Sequence, residues 1–79
     1  MTVEEVFSRL VENTKEVVFE LEDATISMDD SLRDLGANSI DRSEIIMMTL
    51  EDLELEVPLV EFAKVPNLGE LAKTIHAKL

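Results

Sequence analysis

The stretch that decides the fold is Gly36-Ala37-Asn38-Ser39-Ile40-Asp41. Glycine is the usual residue where a helical turn stops, because it enters left-handed backbone geometry without steric cost. Serine is a favoured helix N-cap, because its hydroxyl accepts a bond from a free backbone N–H. The pair marks the end of one short element and the start of a long one. The long helix is predicted to begin near Ser39 and to run to about Leu53. Steps of ~100° per residue put Ile40, Ser43, Ile46, Met47, Leu50 and Leu53 on its core face. Asp41, Glu44, Ile45, Met48, Glu51 and Asp52 take the other side. Two readings stand for Ile45 and Met48 on that acidic side. Either they are incidental or partly buried, or they form a docking patch suited to the flexible methionine side chain.

Before this stretch, Thr2 and Glu5 form a T-x-x-E capping box. Apolar residues follow at Val3, Val6, Phe7, Leu10, Val11, Val17, Val18 and Leu21, the spacing of one helix face. Thr14 fills a polar slot on that stripe. A helix is predicted over residues 3–20. Residues 22–30 show no strong period. Ala24, Ile26 and Met28 alternate with polar residues, but no partner strand exists, so an ordered loop with these side chains turned inward is expected. Asp30 or Ser31 caps a short turn in which Leu32 and Leu35 pack together, and Gly36 ends it.

After the long helix, Val57-Pro58 breaks helical geometry. Leu59 to Val65 makes one short helical turn or two, anchored by Phe62. Asn67 caps the last helix, with Glu70 as the partner in a second capping box. Leu68, Leu71, Ala72, Ile75 and Leu79 form its stripe, and Lys73, His76 and Lys78 suit the negative end of its dipole. The predicted fold class is all-α: a small bundle of three main helices plus one short helix, in a single domain over 1–79.

Composition narrows the function. At 79 residues the chain supports one small core. The usual per-residue range implies a stability of roughly 4–12 kcal/mol. Eighteen acids against 7 bases give a net charge of −11, which repels phosphate backbones and argues against nucleic-acid binding. The same charge favours fast, salt-sensitive encounter with basic protein surfaces. With no cysteine, the chain has no disulfide, no thiolate metal site and no thiol nucleophile. No apolar run approaches the ~18 residues of a membrane span, and the acidic N-terminus is unlike a signal peptide. A cytoplasmic monomer with no membrane partner is expected.

An enzyme needs convergent polar groups in a dry cleft. The one histidine, His76, reads as a solvated basic residue in the last helix. There is no G-x-S-x-G elbow, no H-E-x-x-H and no glycine-rich phosphate loop. Asp23, Asp29, Asp30 and Asp34 miss the spacing of an EF-hand, so no metal site is assigned. The expectation is a protein that is not an enzyme. Ser39 alone is most simply an N-cap, but a helix N-terminus also suits a tethered phosphate, through its free N–H groups and dipole.

Leu35-Gly36-Ala37-Asn38-Ser39-Ile40-Asp41, then Glu44, then Leu53-Glu54-Leu55-Glu56-Val57-Pro58, resemble the acyl carrier protein family. The resemblance extends to Phe62, Pro66 and Leu71-Ala72. It implies an acyl-carrier-like four-helix bundle with a 4′-phosphopantetheine arm on Ser39, added from coenzyme A by a phosphopantetheinyl transferase. An acyl group would ride as a thioester on the arm's terminal sulfur, which supplies the thiol the chain lacks. By position, Ile40, Asp41, Glu44, Met47, Met48 and Glu51 would dock partner enzymes, with Asn38 and Arg42 beside them. Asn38 departs from the family's usual Asp, keeping an acceptor but losing a charge.

Gly-Ala-Asn-Ser-Ile-Asp-Arg-Ser-Glu-Ile is similar to a narrower group, the free-standing carriers of polyketide β-branching cassettes. This implies an acetyl group made by decarboxylating malonyl, and three kinds of partner. They are an acyltransferase, a decarboxylating ketosynthase-like enzyme and a 3-hydroxy-3-methylglutaryl-synthase-like enzyme. Two other functions remain open at this point: a carrier of aminoacyl groups, and a helical adaptor without a prosthetic group.

Overall fold

Amphipathic spacing yields three α-helices: α1 (Val3–Val17), α2 (Ser39–Asp52) and α3 (Leu68–His76). Short 3-10 turns lie at Phe19–Leu21 and Leu59–Phe62, and there are no strands. The computed structural model describes residues 1–79. The all-α class and the order of three helices plus a short one agree with the sequence reading.

α1 is the hub and packs against both other helices. Asn13 meets Thr49, and Arg9 meets Asp52, so α1 and α2 run in opposite directions. The ring Nε2 of His76 donates to the carbonyl of Met1 at 2.8 Å, which brings the end of α3 to the start of α1. Ser39 therefore lies at the same end of the bundle as the N-terminus of α3. Val6, Leu10, Ile45, Leu68, Leu71 and Ile75 are fully buried between the helices.

α1 opens with the expected capping box, in which Thr2 and Glu5 each accept from the other's backbone N–H. It stops at Val17, short of the predicted 20. Val18 is extended (φ −115°, ψ 91°), and residues 19–21 form a tight turn instead. Consecutive β-branched residues are poor helix extenders, and the break lets Val18 enter the core. Phe19 is left 75% exposed.

The core face of α2 also departs from expectation. The buried residues are Ile45, Ile46, Thr49 and Leu50. Ile45, assigned to the outer side, is 0% exposed, while Ile40 is 76% exposed and Met47 48%. Ser43 is exposed as well. The face is turned by a little less than one residue's ~100° step. The cause is Thr49, a polar residue that the apolar count passes over. Its hydroxyl donates to the Ile45 carbonyl at 2.9 Å and accepts from Asn13 Nδ2 at 2.9 Å. With both roles filled inside, Thr49 belongs to the core, and its neighbour Ile45 goes with it.

The loop before α2 is tethered through its backbone. Leu68 N–H donates to the Asp30 carbonyl, and Gly69 N–H to the Met28 carbonyl, at 2.9 and 2.8 Å. A Cβ at Gly69 would stand 3.0 Å from Met28 Cβ, so glycine permits this approach. Ala24, Ile26 and Met28 are half-buried, as expected. Ser31 caps the turn that follows by accepting from Asp34 N–H, whereas Asp30 accepts from Ser27 N–H. Gly36 closes that turn at φ +99°.

α3 is shorter than its stripe implied, and Leu79 is exposed. Asn67 caps it by accepting from Glu70 N–H at 2.8 Å. The reciprocal half of the box is absent, because the Glu70 carboxylate faces Lys73 at 3.6 Å.

Candidate functional site: the N-terminus of α2

The N-cap of α2 is Asn38, one residue earlier than the sequence suggested. Its Oδ1 accepts from Asp41 N–H at 2.8 Å, and Asp41 Oδ2 accepts from Asn38 N–H at 3.3 Å. This is a capping box built on Asn and Asp. The signal was present in the sequence as N-x-x-D, but Ser39, an equally good cap residue, masked it. The correction frees Ser39. It stands at the first helical position and is exposed, and none of the side-chain hydrogen bonds of this region engages its hydroxyl.

The backbone N–H groups of Ser39 and Ile40 also lack partners, as the first donors of a helix do. A nucleophilic oxygen is thus presented to solvent at the positive end of a helix dipole. The residues fit a tethered phosphate: the Ser39 hydroxyl oxygen is open, and unpaired N–H donors flank it. The Asn38 amide performs the capping task a carboxylate would, so only the charge of the family's usual Asp is missing.

Ser39 lies on a divide. On one flank, Ile40, Glu44, Met47, Met48 and Glu51 line a shallow depression along the outer face of α2. Ile40, Glu44, Met47 and Glu51 are exposed, and Met48 is half-buried. The turned core face gathers the apolar members of the predicted docking set here, with Glu44 and Glu51. On the other flank is an open groove of about 520 Å³ between α2, the 3-10 turn at Leu59–Phe62 and the start of α3. Ile46, Phe62 and Leu71 form its apolar floor, and Arg33 and Arg42 stand along it. Arg42 donates from Nη1 to the Ala37 carbonyl at 2.8 Å, on this groove side. The structure thus separates Arg42, and the cap residues Asn38 and Asp41, from the predicted docking residues that line the depression. Asp41 is half-buried and serves the cap.

Sequence reasoning missed Asn13. It is buried and donates from Nδ2 to Thr49 Oγ1 at 2.9 Å and to Asp52 Oδ2 at 3.1 Å. No buried side-chain polar atom lacks a partner. This network fixes how α2 is rotated, and so which face Ser39 heads. Periodicity gave no cue, since an asparagine inside a helix normally reads as exposed.

The profile of the phosphopantetheine attachment site family matches residues 9–75. The polyketide biosynthesis acyl-carrier-protein AcpK of Bacillus subtilis is 43% identical over 79 residues, covering 100% of this chain and 96% of that protein. The chain belongs to the acyl carrier protein family. An acyl carrier protein of Clostridium acetobutylicum is 42% identical over 57 residues, 70% of this chain and 74% of that protein. One chain of the crystal structure of the curacin biosynthetic pathway HMG synthase in complex with acetyl donor-ACP superposes with a TM-score of 0.94. It is 45% identical, and the match covers 99% of this chain and 100% of that one. Acyl carrier proteins are non-catalytic and hold their cargo on a covalent 4′-phosphopantetheine. The small acidic bundle has the form of such a carrier, and no helix in it is long and apolar enough to cross a membrane.

Proposed function

We propose that Ser39 is the attachment residue and that the chain is one carrier domain serving polyketide β-branching as the acetyl donor. The observation that carries the first part is the free Ser39 hydroxyl at the open N-terminus of α2, with Asn38 taking over the cap. When bound, the arm supplies a terminal thiol that holds the acyl group as a thioester. The chain's own part is to offer one hydroxyl at a fixed end and to keep it exposed. Unpaired N–H groups of Ser39 and Ile40 favour the negative phosphate there. The outer face of α2, with Ile40, Met47, Glu44 and Glu51, suits a partner surface that is basic with an apolar centre.

The likeness to AcpK and to the acetyl donor-ACP chain supports the β-branching role. On this reading an acyltransferase loads malonyl, a decarboxylating ketosynthase-like enzyme makes acetyl, and a 3-hydroxy-3-methylglutaryl-synthase-like enzyme receives it. A phosphopantetheinyl transferase modifies Ser39 first. The carrier acts in the cytoplasm as a monomer.

Incubation with coenzyme A and a transferase, followed by intact mass and peptide mapping, tests the site. One phosphopantetheine should appear on Ser39 and none in Ser39→Ala. No mass gain with several active transferases rejects the proposal. For the role, the acetylated carrier should hand acetyl to a synthase of this type faster than a fatty-acid carrier does. Glu44→Lys should slow that transfer most at low salt. Glu44 is the cleaner probe than Asp41, whose carboxylate also caps the helix.

A further inference from the structure

The two flanks of Ser39 carry opposite charge. No carboxylate lines the groove, although the chain has 18 acids. Two of its three arginines, Arg33 and Arg42, are there instead. The outer depression has Glu44 and Glu51 and no base. Neither groove arginine forms an ion pair with the protein. Arg42 uses one N–H on the Ala37 carbonyl, and a guanidinium has five. That bond folds the head back along the first turn of α2, on the groove side of the residue three positions before it. In so acidic a chain, two arginines without a carboxylate partner in one groove leave a positive charge that the bare fold does not neutralise.

We propose that Arg42, with Arg33 lining the same groove, holds the phosphodiester of the arm on the groove side of α2. The inference rests on Ser39 being the attachment residue. A phosphodiester there carries one negative charge and two free oxygens, and a guanidinium fork matches such a group in a bidentate manner. The carboxylates of the outer flank repel the same charge. Both effects send the arm toward Phe62 and the start of α3. The acidic docking face stays uncovered until a partner with stronger cationic groups competes for the phosphate. Arg42 is then a positioning residue for the arm.

The test uses the full-length holo-protein, with modification at Ser39 first verified by peptide mass. The 31P resonance is compared with that of a short phosphopantetheinylated peptide spanning Ser39. Amide spectra of the apo and holo forms are compared in parallel. In the native protein the 31P resonance should be displaced from the peptide value, and attachment should shift the amides of Val65, Asn67 and Leu68. Arg33→Gln should reduce the displacement, Arg42→Gln should reduce it further, and the double variant should return it to the peptide value and abolish the amide shifts. High salt should do the same to the native protein. Arg42→Lys should retain only part, because a lysine offers a point charge without the fork. The exposed Arg33 provides a variant that keeps the fold should Arg42→Gln lose the Ala37 bond and unfold. A 31P resonance equal in native and double-variant proteins overturns the proposal and leaves Ser39 as the attachment site. Holo-dependent shifts centred on Glu44 to Met48 do likewise. Failure of Ser39 to gain mass overturns both readings at the first step.

Discussion

The two ends of α2 are built on opposite plans. The C-terminal half is locked: Ile45 and Thr49 are fully buried, and Asn13 of α1 bonds both Thr49 and Asp52. The N-terminal turn is open: Ile40 and Ser39 are exposed, and its side-chain hydrogen bonds are the Asn38–Asp41 box and the Arg42 bond to Ala37. The proposed attachment at Ser39 calls for both: an attachment point that enzymes can reach, on a helix that does not rotate. The polar network near one end fixes orientation, which leaves the other end free to be bare.

The sharpest way to break this comparison is to make the same change at each end. Ile45→Ala should destabilise the domain by about 2–5 kcal/mol, the range for truncating a fully buried aliphatic side chain. Ile40→Ala should stay within about 0.5 kcal/mol, as surface changes do. Denaturant midpoints measured side by side decide it, and equal losses would end the distinction between a locked and an open end. Next comes the network. Asn13→Leu should cost about 1–3 kcal/mol by stripping Thr49 and Asp52 of their buried partner. Thermal melts give the size, and broadened amide signals along α2 would show the loosened rotation.

A smaller effect lies where α2 stops. Glu54 sits at φ 57°, in the left-handed region, while Leu55 N–H closes back on the Leu50 carbonyl at 2.8 Å. This helix stop normally carries glycine. Glu54→Gly should raise stability by about 0.5–1 kcal/mol in the same melts, since the strain relieved exceeds the added chain entropy. A loss instead would mean that the glutamate side chain has a role that outweighs its backbone.

The smallest effect compares caps. The Glu5 carboxyl is held below the ordinary range by hydrogen bonds from the backbone N–H and the side chain of Thr2. A depressed folded value contributes stability at pH above the unfolded value, and that contribution is lost as pH falls through the folded one. The cap of α1 should therefore weaken on acidification from the ordinary glutamate range downward. The Asn38 amide that caps α2 does not titrate. Carboxyl NMR should find Glu5 low in the native protein and only partly raised towards its ordinary value in Thr2→Ala, which removes the side chain but keeps the backbone N–H.

Much of this was legible in the chain itself. The T-x-x-E box, the glycine stop and Val57-Pro58 each act on neighbouring residues, and all marked element ends within a few positions. Errors arose where a distant partner decided. Val18 left the helix to enter the core, and Leu79 was left without one. Thr49 was assigned to neither face, and its partner Asn13 lies 36 residues away. Ser39 took the cap in the sequence reading, since serine and asparagine both cap well and only coordinates say which does.

By itself, the sequence determined the three helices, their order, the acidic character and the serine at the head of the second helix. These follow from local backbone preferences, from charge count and from apolar spacing, none of which requires knowing what packs on what. The tertiary structure alone decided the rotation of α2, the release of the Ser39 hydroxyl from capping and the sorting of charge onto its two flanks. A helix's period leaves its rotation about its own axis only loosely specified, and the buried bond from Asn13 to Thr49 is what selects one setting.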